Sequence, residues 1–132
     1  MTLPPSGQSE RPIRRGDLYW LVSDGPQGSV PPIRHPHVVV QDDLFNDSRI
    51  DTVVVCGITT NARRGSEPGT VRLPAGEGGL ERESVVLASQ VSSVRKDQLG
   101  ERIGSVSAER VEQILSALRF LQHSFHSRPD LR

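Results

Sequence analysis

A single cysteine, Cys56, leaves this 132-residue chain without an internal disulfide and points to a reducing compartment. It stands inside the apolar run VVVCGI, where the default role of a cysteine is a small hydrophobe rather than a nucleophile. No apolar run approaches the ~18 residues that a membrane helix requires. Residues 1–12 are mostly Pro, Ser, Gly, Gln and charged, with no secretory apolar region. Net charge is absent too: 16 Lys+Arg balance 16 Asp+Glu, so no global field draws the protein to nucleic acid. Any such site must be a local patch. No internal repeat appears. These absences lead to the expectation of a soluble, cytoplasmic protein of one domain, long enough to bury a core.

What is present is mostly β-forming. Residues 1–13 are expected to be disordered or loosely docked, residues 14–123 to form the domain, and 124–132 a polar tail. LYWLV, after Gly16 and Asp17, reads as a first strand carrying the only Tyr and the only Trp. Trp20 is expected in the core. SDGPQGSVPP, Ser23–Pro32, consists of turn formers and is longer than a hairpin needs, as binding loops and lids are. Strands follow at about 36–41 and 52–60, joined by the polar turn DDLFNDSRI. TVRL at Thr70–Leu73 and SVVLASQVSSV at Ser84–Val94 read as further strands, the latter bending near Ala88 where the alternation changes. A short extended piece lies at about 102–106. Ser107 is a plausible N-cap. Val111, Ile114, Leu115, Leu118 and Leu121 recur on one helical face ending near His123. The fold class is thus mainly β with a C-terminal helix: a small, strongly bent, barrel-like sheet with one open side covered by the helix.

The strands at 36–41 and 52–60 carry the polar chemistry. Arg34, His35 and His37 stand at the start of one; Thr59, Thr60 and Asn61 end the other. Antiparallel pairing would bring those tips together. A cation, an imidazole and two hydroxyls in one place are suited to work on a phosphate. Arg63 and Arg64 follow directly. His35 and His37 form an H-x-H pair on one strand face, but no third metal ligand lies nearby in sequence. No metal or cofactor is expected.

Five blocks, GDLYW (Gly16–Trp20), HPHVVVQ (His35–Gln41), TVVVCGIT (Thr52–Thr59), SVVLASQVSSV (Ser84–Val94) and IGSVSAERVEQI (Ile103–Ile114), occur in an order that resembles the MazF/PemK toxins. These are sequence-selective endoribonucleases of bacterial type II toxin–antitoxin systems. The resemblance covers about 16–122. It implies an SH3-like barrel, a homodimer and a small antitoxin as partner. It also implies metal-independent cleavage of single-stranded RNA, the ribose 2′-OH attacking its own 3′-phosphate to leave a 5′-OH and a cyclic or 3′-phosphate.

In that family an Arg directly before the Pro of the second strand and a Thr or Ser ending the third do most of the chemistry. The Thr position is matched by Thr59. The residue before Pro36 is His35, however, with Arg34 one place earlier. Three assignments stand open: His35 as acid/base, Arg34 reaching the same phosphate, or a weakened site in a protein that binds without cutting. Arg34, His35 and Thr59 are the catalytic candidates. Thr60, Asn61, Arg63, Arg64 and His37 are the substrate-binding ones. Two other activities suit the same fold: a gyrase-inhibiting toxin of the CcdB kind, and a non-catalytic module that binds nucleic acid or protein.

Overall fold

The computed structural model describes residues 11–23 and 33–127. The loop between the first two strands, weighed above as a lid, lies outside the described residues. Six strands form one antiparallel sheet: β1 (Asp17–Ser23), β2 (Ile33–Val39), β3 (Thr52–Thr59), β4 (Thr70–Leu73), β5 (Ser84–Arg95) and β6 (Leu99–Ser105). The order across the sheet is β4-β5-β3-β2-β1-β6. Among the described residues two α-helices complete the fold, beside short 3-10 turns: α1 (Asp43–Asn46), a single turn, and α2 (Ala108–Ser127).

Period-two alternation sorts the apolar residues onto two faces of the sheet. Leu18, Val38, Cys56, Ile58 and Val86 join one buried cluster, completed by Ile114 of α2 with Val111, Ala117 and Leu118 packed against it. Tyr19, Val39, Val53 and Val55 form a second cluster, flanked by Ile13, Leu21, Val94 and Leu99. Burial on both faces explains why β3 is an almost unbroken β-branched run. Tyr19, rather than Trp20, is the buried aromatic of β1; Trp20 is half-buried.

Several boundaries differ from the sequence expectation, each for a local reason. β2 begins at Ile33, three residues early, with Pro36 inside it. There β2 pairs only with β1, because pairing with β3 starts at His37↔Gly57. A proline, which lacks an N–H, is accommodated where one strand side is unpaired. The polar turn after β2 contains α1, started by the Asp42 carboxylate accepting from Leu44 N–H at 2.8 Å. The bend in β5 is a bulge: the register against β3 shifts between Cys56↔Val91 and Gly57↔Leu87. Ser107 Oγ accepts from Arg110 N–H at 3.2 Å, as an N-cap does. α2 then continues past His123 to Ser127.

The sheet curls. Gly78 and Gly79, after β4, take positive φ of 66° and 84°, and lie against β6 and β1. A Cβ on Gly104 would collide with the Gly78 carbonyl, and one on Gly78 would press Leu18 and Val106. Only glycine permits this closeness. The segment following edge strand β4 is thereby brought to edge strand β6, and a cleft is left beside it.

Candidate functional site

The cleft, of about 690 Å³, is lined by the start of β2, the end of β3, Trp20, Ile103 and the segment Gly79–Arg82 with Ser84. From the sequence candidates it gathers Arg34, His35, Thr59 and Thr60. Antiparallel pairing of β2 with β3 sets the tip of one strand beside the tip of the other.

The register defines which side chains face it. Trp20 pairs with Pro36 and Val22 with Arg34; Leu21 pairs with His35 and Tyr19 with His37. Arg34 therefore shares the face of Trp20, and His35 alternates onto the face of Tyr19 and His37. The Arg34 guanidinium carbon lies 4.3 Å from the centroid of the Trp20 ring, within cation–π range. His35 is exposed and also borders the cleft. His37 stands outside the lining. Its Nδ1 is 3.1 Å from the His35 carbonyl oxygen, so Nδ1–H is the donor. Burial, above all, holds its pKa below the usual imidazole value.

Thr59 is half-buried and Thr60 exposed. Asn61 N–H donates to Thr59 Oγ at 3.1 Å. A hydroxyl that already accepts from the backbone keeps its own hydrogen to donate outward, which suits an anionic ligand. The next candidates are spent on the loop itself. Asn61 Oδ1 accepts from Arg63 N–H at 3.2 Å and caps a 3-10 turn, Ala62–Ser66. Arg64 grips Glu67 with two hydrogen bonds of 3.0 and 3.1 Å. Arg63 is exposed. None of these three lines the cleft.

Sequence reading missed Glu81 and Arg82, which reach the cleft from the segment after β4. They lie in the charged run ERE, which carries no periodic signal. The glycine approaches between this segment and β6, the Glu77–Arg110 ion pair and the buried Leu80 bring them to the site. Among the described residues, seven arginines pair with carboxylates; Arg34 and Arg82 enter no salt bridge. In a chain with no net charge, the cleft lining thus carries two guanidiniums that enter no ion pair among the described residues, against one carboxylate, Glu81. An anion with in-line oxygens, such as a phosphodiester, fits that donor set.

Residues 14–121 match the family model of the PemK-like, MazF-like toxin of type II toxin–antitoxin systems. Endoribonuclease MazF2 of Mycobacterium bovis is 37% identical over 107 residues, covering 81% of this chain and 94% of its own. Endoribonuclease EndoA of Bacillus subtilis is 30% identical over 111 residues, covering 81% and 91%. The fold is shared with MazE–MazF from Deinococcus radiodurans, at a TM-score of 0.70 and 23% identity over 86% of this chain and 97% of that one. It is shared also with a mycobacterial endoribonuclease in complex with its cognate antitoxin, at a TM-score of 0.66 and 23% identity over 83% and 94%. Both the extent of the family match and the identity to full-length relatives lead to one conclusion: the chain belongs to the PemK-like, MazF-like toxins of type II toxin–antitoxin systems.

Proposed function

We propose that this protein is an endoribonuclease toxin that cuts single-stranded RNA in the cleft between β2 and β3. The observation that carries the reading is the convergence of Arg34, His35, Thr59 and Thr60 on one cleft, with Arg82 in its lining. Endoribonuclease relatives that align over most of their length support it.

Arg34 takes the cation's role, because its side chain lies on the Trp20 face of the cleft while His35 meets the cleft only from its rim. Its planar fork binds two phosphate oxygens. The Thr59 hydroxyl donates to a non-bridging oxygen as negative charge grows on the phosphorane. The ribose 2′-oxygen forms a bond to phosphorus, its proton passing to a base, and the bond to the 5′-oxygen breaks. That oxygen takes up a proton and leaves as a 5′-OH; a 2′,3′-cyclic phosphate remains. His35, at the border of the cleft, is the base that accepts the 2′-OH proton, and water supplies the proton to the leaving 5′-oxygen. No step calls for a metal. Thr60 and Arg82 hold flanking phosphates.

The partner is a small antitoxin whose acidic or amphipathic segment occupies the same cleft, in keeping with structural neighbours that contain a cognate antitoxin. The working form is a cytoplasmic homodimer of the 14–123 domain; no described helix is long and apolar enough to cross a membrane. End-group analysis tests the reaction. The expected products carry 5′-OH ends that accept phosphate from a polynucleotide kinase without prior phosphatase, and a 2′-deoxy nucleotide at the cut position blocks cleavage. Products with 5′-phosphates would overturn the mechanism.

A further inference from the structure

Trp20 belongs to none of the catalytic roles above, yet it forms a wall of the cleft and is half-exposed. Its cross-strand partner is Pro36, which makes Arg34 its diagonal neighbour across the β1–β2 pair. Diagonal neighbours in antiparallel sheets sit ~7–8 Å apart at the backbone, within reach of an aromatic and a long side chain. The 4.3 Å separation of guanidinium carbon and ring centroid is the result of that register. No carboxylate among the described residues pairs with Arg34. Among the described residues the indole face is what restrains this rotamer-rich side chain. Stacking occupies the flat face of a guanidinium and leaves its N–H edge open.

We propose that Trp20 is a positioning residue for Arg34: its ring holds the guanidinium face so that the N–H fork is presented, pre-ordered, to a phosphate of the bound RNA. This rests on the RNA reading above and deepens it. A salt bridge would hold Arg34 as firmly but would cancel the charge the phosphate needs. The π-face orders the side chain and keeps the charge. The arrangement also explains how an arginine one place before the pre-proline position serves the cleft. On β2, Arg34 and Pro36 share the Trp20 face and His35 does not.

The test is a double-variant cycle on binding, read with a single-stranded 2′-deoxy oligonucleotide that the proposed chemistry leaves uncut. Trp20→Leu keeps bulk and loses the π-face; Trp20→Phe keeps a π-face and guards against a variant that fails to fold. Trp20→Leu is expected to weaken binding about tenfold and Trp20→Phe only about twofold. In an Arg34→Ala background, Trp20→Leu is expected to add less than about twofold, because the two side chains act as one unit. Trp20 is the only tryptophan, so fluorescence gives a second readout: Arg34→Ala should change its emission in the free protein.

An equal loss on Trp20→Leu in both backgrounds would overturn the positioning role and assign Trp20 to direct base stacking or to the fold. Identical emission from wild type and Arg34→Ala would overturn the stack itself. Failure of well-folded wild type to bind the oligonucleotide at low salt would instead overturn the RNA reading. The two failures are thus distinct.

Discussion

At the scale of single residues, the chemistry divides according to which side chains are already engaged. Cys56 is fully buried, and burial pushes its thiol pKa up to about 12. The folded protein should resist iodoacetamide at pH ~8, since the thiolate is the nucleophile, and label only on unfolding. Rapid labelling of the native state would contradict this placement. His37 is half-buried outside the cleft lining. Burial holds its folded pKa below the ordinary imidazole value, so at acid pH the unfolded chain binds the proton more readily. Stability is complete above about pH 6.5 and falls as pH drops through that value. Thermal melts between about pH 7.5 and 5 should show this slope, and His37→Phe should flatten it. Thr59, with its oxygen accepting from Asn61, is free to donate its hydrogen to substrate. Thr59→Val should lower kcat by about a hundredfold with KM little changed, as for loss of one preorganised donor. Rates within about twofold of wild type would remove Thr59 from the phosphorane.

At the scale of elements, strand content was legible in the sequence because β-branched runs bounded by Gly and Pro turns are unambiguous. The bulge in β5 and the Ser107 cap were legible for the same reason: each is written in consecutive residues. Register was not. Alternation puts one of Tyr19 and Trp20 in the core, and Trp20 was the expected one, whereas the pairing of β1 with β2 puts Tyr19 there and turns Trp20 toward Arg34. Nor was the approach of Gly78 and Gly79 to β6, which brings together residues about 25 apart in sequence. The site was half legible in consequence. Strand tips gave Arg34, His35, Thr59 and Thr60, and the curl of the sheet supplied Arg82. The same curl carries a prediction. Gly104→Ala would drive a methyl into the Gly78 carbonyl, shifting the segment that presents Glu81 and Arg82. Stability should drop by about 1–3 kcal/mol, with RNA affinity falling alongside in chemical denaturation and binding assays. A fully stable variant with unchanged affinity would show that the contact is not needed.

At the scale of the whole molecule, zero net charge and a cleft with two guanidiniums unpaired among the described residues imply binding that is local and only mildly salt-sensitive. For single strands the slope of log affinity against log salt is about −0.7 per neutralised phosphate, so a slope near −1.4 is expected, relaxed by about 0.7 in Arg82→Ala. A slope several times steeper would place the RNA on a wider basic surface. The two apolar faces of the sheet, one closed by α2, fix β2 and β3 rigidly. Their polar tips are thereby held at the rim of a packed core, a firmer mount than a loop provides. The central claim is that this rim cuts RNA through Arg34 on the cleft face. Its most direct test is cleavage of a long single-stranded RNA in EDTA by wild type, Arg34→Ala and His35→Ala across about pH 5–9. The expected result is discrete wild-type cuts, slowed at least about a hundredfold by Arg34→Ala, with the pH dependence flattened in His35→Ala. Cuts that survive Arg34→Ala undiminished, or no cutting at all by well-folded wild type, would contradict it.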